Sequence, residues 1–142
     1  MRFPDINVWL ALAFESHSNH QTALKWFESI EQETIVFCRQ TQQGFLRLAT
    51  NSKAFGEEAV TMKDAWKLYD AIRADSRIKL LSEPNDIESI WKRYTSRNSR
   101  SPKLWNDSWL AAFAYAESLE LVTFDKGFKQ FEGLKCRILT EG

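Results

Sequence analysis

One stretch decides the fold predicted for this chain: Leu121-Val122-Thr123-Phe124-Asp125-Lys126-Gly127-Phe128. Its first four residues are apolar, β-branched or aromatic, a composition typical of a buried strand. The run stops at Asp125, after which Lys126 and Gly127 turn the chain away. An acid at the carboxyl end of a parallel strand faces the ligand-binding crevice of an α/β sheet and not its core. The stretch therefore predicts a strand that delivers a carboxylate to a binding site.

Two further aspartates are predicted to reach the same crevice. Asp5 follows a short N-terminal strand over residues 1–4, and Asp107 opens the helix that runs into Leu121. Three carboxylates in one crevice repel one another strongly unless a cation lies among them. Mg²⁺ and Mn²⁺ are hard cations that favour carboxylate oxygens. The three acids therefore predict a magnesium or manganese site.

Each aspartate also has an ordinary structural interpretation. Asp5 would act as the N-cap of the helix that follows it. Asp107 would pair with the dipole at the start of its own helix, and Asp125 would be a turn residue, since Asp-Lys-Gly is common in turns. For each acid taken alone both interpretations stay open. Their joint placement at one rim of one sheet is what favours the metal site.

The rest of the chain alternates between strand and helix patterns. Further strands are predicted at residues 34–38, 78–81 and 136–139, with helices after Asp5, at 18–30, 39–51 and 61–74, after Asp86, and from Asp107 to about 119, and a loop at 53–56. Such alternation implies right-handed crossovers and a parallel sheet covered on both faces. We therefore predict an α/β fold with three α/β/α layers and a mostly parallel sheet of about five strands, in a single domain over residues 1–142.

Composition limits the classes of function. Hydrophobic residues make up 44% of the 142 residues, enough for a real core. The 19 basic and 19 acidic residues cancel, so any nucleic-acid contact must come from a local patch. No stretch is long and apolar enough to cross a bilayer, and Pro4 and Asp5 interrupt the region where a secretory signal would lie. We therefore expect a cytoplasmic protein that does not contact membranes.

Three other residue types carry weaker predictions. Cys38 and Cys136 lie in predicted strands without metal-site spacing, and we expect reduced, buried thiols. His17 and His20 have no third histidine or cysteine beside them, so a zinc site is not expected. The six tryptophans have helical spacing, which favours packing in the core or in a dimer over stacking on bases.

A basic segment leads into Asp107. Between Trp91 and Leu104 the chain has no acid, and its five cations are Lys92, Arg93, Arg97, Arg100 and Lys103. Positive charge there would flank the site and offset the repulsion between the carboxylates and an RNA backbone. The alternative is a solvated helix end and loop. We expect this segment to contact RNA.

Four blocks of the sequence together carry a resemblance to a known family. They are Pro4-Asp5-Ile6-Asn7-Val8-Trp9-Leu10-Ala11-Leu12-Ala13, Thr41-Gln42-Gln43-Gly44-Phe45-Leu46-Arg47-Leu48, Asn106-Asp107-Ser108-Trp109-Leu110-Ala111-Ala112-Phe113-Ala114 and the opening stretch, residues 121–128. In this order, over nearly the whole chain, they resemble the PIN domain family, and specifically the VapC toxins of bacterial toxin–antitoxin pairs.

The resemblance implies a metal-dependent endoribonuclease that a small antitoxin protein holds inactive. Asp5, Asp107 and Asp125 match the family's acids that bind Mg²⁺ or Mn²⁺ directly or through water, and they are the expected catalytic residues. Asn7 and Thr123 match polar positions that support the first and last of these acids. The implied reaction is hydrolysis of an RNA phosphodiester by a metal-activated water, oriented by Asp107 or Asp125. Exposed apolar and aromatic residues further indicate a homodimer and a groove for the antitoxin.

Gln42 departs from the family pattern. Many PIN domains carry a glutamate early in the third helix, and Gln42 occupies that place. A neutral amide is a weaker ligand than a carboxylate, which puts a second metal ion in doubt. The departure motivates an alternative, a catalytically inactive PIN-derived module that binds RNA or protein. A phosphoacceptor receiver domain is disfavoured, because Leu80-Leu81-Ser82-Glu83 lacks the acceptor aspartate expected after the middle strand.

Overall fold

The computed structural model describes residues 1–140 and is built on one five-stranded sheet. The strands are β1 (Arg2–Pro4), β2 (Ile35–Phe37), β3 (Ile78–Leu80), β4 (Glu120–Thr123) and β5 (Cys136–Ile138). Their order is β3-β2-β1-β4-β5, and every neighbouring pair is parallel. All five carboxyl ends therefore meet at one edge, which is where open α/β sheets bind ligands. The predicted α/β class and parallel sheet are confirmed.

Helices connect the strands in the described part of the chain. The α-helices are α1 (Ile6–Ala13), α2 (His20–Ser29), α3 (Arg39–Ala49), α4 (Ser52–Phe55), α5 (Met62–Arg73), α6 (Ile87–Thr95) and α7 (Lys103–Ala116). Short 3-10 helices occupy Gly56–Glu58 and Lys126–Gln130. Over residues 1–140, no helix combines the length and the apolar character that crossing a membrane requires.

Two hydrophobic cores cover the two faces of the sheet. Helices α1, α2, α3 and α5 contribute to one of them, where the ring of Trp9 stacks on that of Phe37 at a centroid distance of 4.0 Å. Helices α6 and α7 contribute to the other, where Phe3 packs against Phe113 at 5.0 Å. Val36 and Phe37 belong to different cores because successive strand residues point to opposite faces. The predicted three layers are therefore present.

The start of α7 differs from the prediction. The helix begins at Lys103, a full turn before Asp107, so this acid lies in the second turn and does not open the helix. Pro102 precedes the first helical residue with φ −63°, the angle that its ring already fixes and that suits a helix start. The sequence prediction placed the start too late because it took the acid as the first-turn signal.

Two shorter segments also differ. Residues 53–56, predicted as a loop, are largely helical in α4, because the side chain of Asn51 caps the Lys53 amide at 2.9 Å. Cys38, predicted as the last residue of a strand, is instead the N-cap of α3 and pairs with Thr41 in a capping box. Both cysteines are free thiols, but only Cys38 is buried, whereas Cys136 is partly exposed at the edge strand β5.

We predict that Gly44→Ala destabilises the fold. A Cβ added at Gly44 would overlap Cδ1 of Ile6, where α1 and α3 pack closely. Overpacking of this kind costs about 1–3 kcal/mol, which outweighs the gain of about 1 kcal/mol in helix propensity. Urea unfolding measures the difference.

The control is Ile6→Val, which removes the overlapping Cδ1. In the double variant, the alanine should cost much less than it does alone. A Gly44→Ala protein at least as stable as the original would show that α1 and α3 accommodate the added methyl group without strain.

Candidate metal centre and active site

Three aspartates lie at the carboxyl edge of the sheet. Asp5 directly follows β1, Asp125 lies two residues beyond β4, and Asp107 lies in the second turn of α7. They are close enough that the charges of Asp107 and Asp125 both raise the pKa of Asp5. The structure therefore brings together the three acids singled out in the sequence, although their role in metal binding stays a prediction.

Asp5 is the most enclosed of the three acids, with 8% of its surface exposed. Its Oδ1 accepts a hydrogen bond from the amide of Ile6 at 2.7 Å, and its Oδ2 accepts one from the hydroxyl of Thr123 at 3.0 Å. Burial raises the pKa of Asp5 to about 6, against the opposing effect of the two hydrogen bonds. Asp5 is thus an N-cap and a rim carboxylate at once, so its two interpretations do not exclude each other.

Thr123 links the first acid to the last. It is buried at the end of β4, and its Oγ1 donates to Asp5 while accepting from the backbone amide of Asp125 at 3.0 Å. The link follows from the sheet register, because Pro4 lies beside Val122 and the next residues of each strand are then neighbours. The loop that carries Asp125 is therefore tied to the position of Asp5.

A lysine ammonium lies between the other two acids. Nζ of Lys103 is 2.8 Å from Oδ2 of Asp125 and 3.6 Å from Oδ2 of Asp107. This contact lowers the pKa of Asp125, whereas burial raises the pKa of Asp107 despite the nearby cation. The pKa of Lys103 is itself raised, first by its hydrogen bond to Asp125. The sequence signal for this contact is the i, i+4 spacing of Lys103 and Asp107, which was not recognised because the helix start was misplaced.

The acids fit a divalent ion of the magnesium type. In the part of the chain that the structure describes, no three carboxylate, histidine or cysteine side chains converge tightly enough to coordinate one ion directly. Mg²⁺ does not require that, since one or two carboxylates normally hold it and waters complete its shell. The ammonium of Lys103 shows that a cation fits between Asp107 and Asp125, with buried Asp5 close by. The donor set therefore suits an ion held by some acids directly and by others through water.

Two predicted supporting residues lie apart from this network. Asn7 is exposed in the first turn of α1, and the two hydrogen bonds to Asp5 come from Ile6 and Thr123 instead. Gln42 is buried in α3, and its Oε1 accepts a hydrogen bond from the guanidinium of Arg39. Nothing in the sequence pattern singled out Arg39, whose position on the first turn of α3 is the only available signal.

The basic segment does not form one continuous patch. Its five cations are Lys92, Arg93, Arg97, Arg100 and Lys103. Arg93 lies over the ring of Tyr115 at 5.2 Å and Arg97 over that of Phe131 at 5.7 Å, both on the outer side of the α6–α7 core. Lys92 and Arg100 are exposed. Only Lys103 contacts the acids, so the predicted segment has several structural environments.

A cavity of about 450 Å³ opens at the carboxyl ends of β2 and β3, and none of the three acids lines it. Arg39 and Gln43 of α3, Leu81 and Ser82 after β3, and Trp109 of α7 are among its lining residues. The cavity adjoins the carboxyl ends of β2 and β3, and β2 is the neighbour of β1, the strand that carries Asp5. The cavity therefore lies at the same edge of the sheet as the acids, one strand away from β1.

We predict that Asp5→Asn stabilises the metal-free protein at pH 8. The folded-state pKa of about 6 exceeds the ordinary value of 3.8, so the ionised carboxylate opposes folding above pH 6. That penalty shrinks as the pH falls through 6 and vanishes below about 4. An asparagine removes this penalty, for a gain of about 1–3 kcal/mol at pH 8. Its oxygen still accepts from the amide of Ile6, and its NH₂ group donates to the hydroxyl oxygen of Thr123, which reverses the direction of that hydrogen bond. Chemical unfolding in EDTA across this pH range measures it.

The matched control is Asp64→Asn, which neutralises an exposed aspartate of α5. Its effect should stay within about 0.5 kcal/mol at every pH. A loss of stability in Asp5→Asn at pH 8 would mean that the carboxylate is held by favourable charges that outweigh its burial.

Sequence comparison identifies relatives along the whole chain. Residues 2–134 match the model of the PIN domain family. Ribonuclease VapC41 of Mycobacterium tuberculosis (strain ATCC 25618 / H37Rv) is 41% identical over 142 residues, covering 96% of this chain and 97% of that protein. Ribonuclease VapC38 of the same strain is 28% identical, covering 89% of this chain and 86% of that protein.

Solved structures share the fold. VapC20 of Mycobacterium tuberculosis, described as a sarcin–ricin loop cleaving toxin, aligns with a TM-score of 0.68 at 18% identity over 91% of this chain and 93% of that one. A chain of VapBC2 from Rickettsia felis, bound to a promoter DNA fragment, gives 0.68 at 14% identity over 98% of both chains. With the family model spanning nearly all of the sequence, this chain belongs to the PIN domain family, among its VapC ribonucleases.

Proposed function

We propose that this protein is an endoribonuclease toxin that requires Mg²⁺ or Mn²⁺ and is neutralised by a cognate antitoxin in the cytoplasm. One observation carries the proposal: Asp5, Asp107 and Asp125 meet at the carboxyl edge of the sheet. The 41% identity to a protein named as a VapC ribonuclease supports the choice of RNA as substrate.

The chemistry divides among the three acids according to their environments. When bound, the divalent ion polarises the phosphodiester and makes a water molecule a stronger nucleophile. Asp107 and Asp125 have the more exposed carboxylates and are positioned to hold the ion and orient the water. Asp5 is fixed by Thr123 and Ile6, so it holds its orientation without reorganising. Thr123 hydrogen-bonds to the side chain of Asp5 and to the amide of Asp125, so it fixes the positions of these two acids relative to each other.

RNA binding is proposed to rely on local charge, because the net charge of the chain is zero. Lys92 and Arg100 are exposed, and Arg39 lines the cavity at the carboxyl ends of β2 and β3. These cations would contact phosphates on either side of the cleaved bond. Arg93 and Arg97 contribute charge from the surface of the α6–α7 core.

The catalytic proposal is tested by neutralising each acid in turn. Asp5→Asn, Asp107→Asn and Asp125→Asn should each lower the rate of RNA cleavage in Mg²⁺ roughly 100-fold or more, as removal of one charge-stabilising group commonly does. EDTA should abolish cleavage in the original protein, and Mg²⁺ or Mn²⁺ should restore it. Cleavage of a total-RNA substrate, followed by fragment sequencing, measures both effects.

Asp64→Asn is again the control and should cleave at the original rate. Cleavage at the original rate by Asp5→Asn, Asp107→Asn and Asp125→Asn would contradict the proposal. RNA binding without any cleavage by the original protein would instead favour the alternative of an inactive PIN-derived binding module. The observation behind that alternative is Gln42, a neutral side chain whose carbonyl oxygen accepts a hydrogen bond from Arg39.

We also propose that two copies of the chain associate and that an antitoxin binds the dimer. A solved structure described as a toxin–antitoxin complex from Klebsiella pneumoniae shares the fold of this chain, with a TM-score of 0.56. The surface supports self-association, since Met62 is 79% exposed and Trp66 is 49% exposed on α5. Both line an apolar cavity of about 290 Å³ between α3 and α5.

Trp66→Lys should weaken self-association at least tenfold, because a charged side chain would have to be desolvated in an apolar contact. Analytical ultracentrifugation over a concentration series measures it. The control is Trp105→Lys, which places the same charge at a tryptophan of α7 that is 59% exposed and lies in the opposite layer. Equal dimer affinity in the original and Trp66→Lys proteins would assign the interface to another surface.

A further inference from the structure

The position of Lys103 has a specific electrostatic consequence. Its ammonium contacts Asp125 at 2.8 Å and Asp107 at 3.6 Å, so one cation serves two of the three clustered acids. The third acid, Asp5, is buried close to these two, and the charges of Asp107 and Asp125 both raise its pKa. The lysine thus occupies the region where the proposed divalent ion would neutralise the same carboxylates.

Helix energetics do not account for this lysine. Lys103 is the first residue of α7, where the helix dipole disfavours a positive charge. Its i, i+4 pair with Asp107 has the cation on the N-terminal side, the less favourable order. An exposed ion pair also stabilises a protein little, and the side chain of Lys103 is 67% exposed. What remains to hold the ammonium in place is the combined negative charge of Asp107 and Asp125.

We propose that Lys103 is a built-in counter-ion that occupies the metal position in the metal-free protein and must leave when a divalent ion binds. The inference rests on the proposed function, since it takes the three acids as the metal site. Metal binding is then an exchange of one cation for another, and Lys103 sets how much Mg²⁺ or Mn²⁺ the site requires. The flexible four-carbon stem of the exposed side chain lets the ammonium move without a change of backbone.

The test is a measurement of metal affinity that does not involve RNA. Isothermal titration with Mn²⁺ at low ionic strength compares the original protein with Lys103→Met, which keeps an unbranched side chain, one atom shorter, and removes its charge. We expect Lys103→Met to bind Mn²⁺ roughly tenfold more tightly, because a competing charge beside the ligands is removed. Lys103→Gln serves as a second neutral variant with the same expectation.

Lys92→Met is the matched control. It removes the same charge from the same basic segment, at an exposed lysine of α6 that does not contact the acids. Its Mn²⁺ affinity should change less than twofold. A thermal melt adds a second readout: in EDTA, Lys103→Met should melt below the original protein, and saturating Mg²⁺ should raise its melting temperature by more.

Equal or weaker Mn²⁺ binding by both neutral variants would overturn the proposal, and so would an absence of Mn²⁺ binding in all the proteins. RNA cleavage is judged separately. If the affinities shift as expected while the original protein cleaves no RNA, the counter-ion role stands and the ribonuclease proposal fails. If the original protein cleaves RNA but the affinities do not shift, the ribonuclease proposal stands and the counter-ion role fails.

Discussion

The candidate site depends on the parallel pairing of β1 with β4. This pairing sets Thr123 beside Asp5, and the hydrogen bond between them joins residues 118 positions apart in sequence. The same threonine fixes the amide of Asp125. Helix α7 then brings Asp107 and Lys103 to the same edge from the other side of the sheet. Without this single register, the acids would have no common location.

The three acids are chemically alike but stand in different environments. Burial raises the pKa of Asp5 and of Asp107, whereas Lys103 and the amide of Gly127 lower that of Asp125. Near neutral pH, Asp125 is therefore the acid most firmly ionised, and Asp5 is the one most readily protonated. A divalent cation would even out these differences, because a nearby positive charge favours every ionised form.

The sequence predicted the sheet, and it predicted the positions of Asp5 and Asp125 because strands that end in an acid leave a local pattern. It could not predict the start of α7, since the signal at Pro102 was weaker than the apparent cap at Asp107. The contact of Lys103 with Asp107 and Asp125 was not predicted either, because it requires Lys103 to lie on the same helix as Asp107. Helical spacing favoured packing of the six tryptophans in the core or in a dimer. Trp105 is 59% exposed in this chain, because a helical period shows which residues share a face but not how far neighbouring elements cover that face.

The sheet order also affects when the site can form during synthesis. Strand β1 is made first and its neighbour β2 follows, but its other neighbour, β4, begins only at Glu120. Thr123 lies 118 residues after Asp5, so the hydrogen bond between them can form only after this length of chain has been made. A nascent chain shorter than this has no assembled acid cluster. The topology thus delays assembly of the acid cluster until most of the polypeptide has been made.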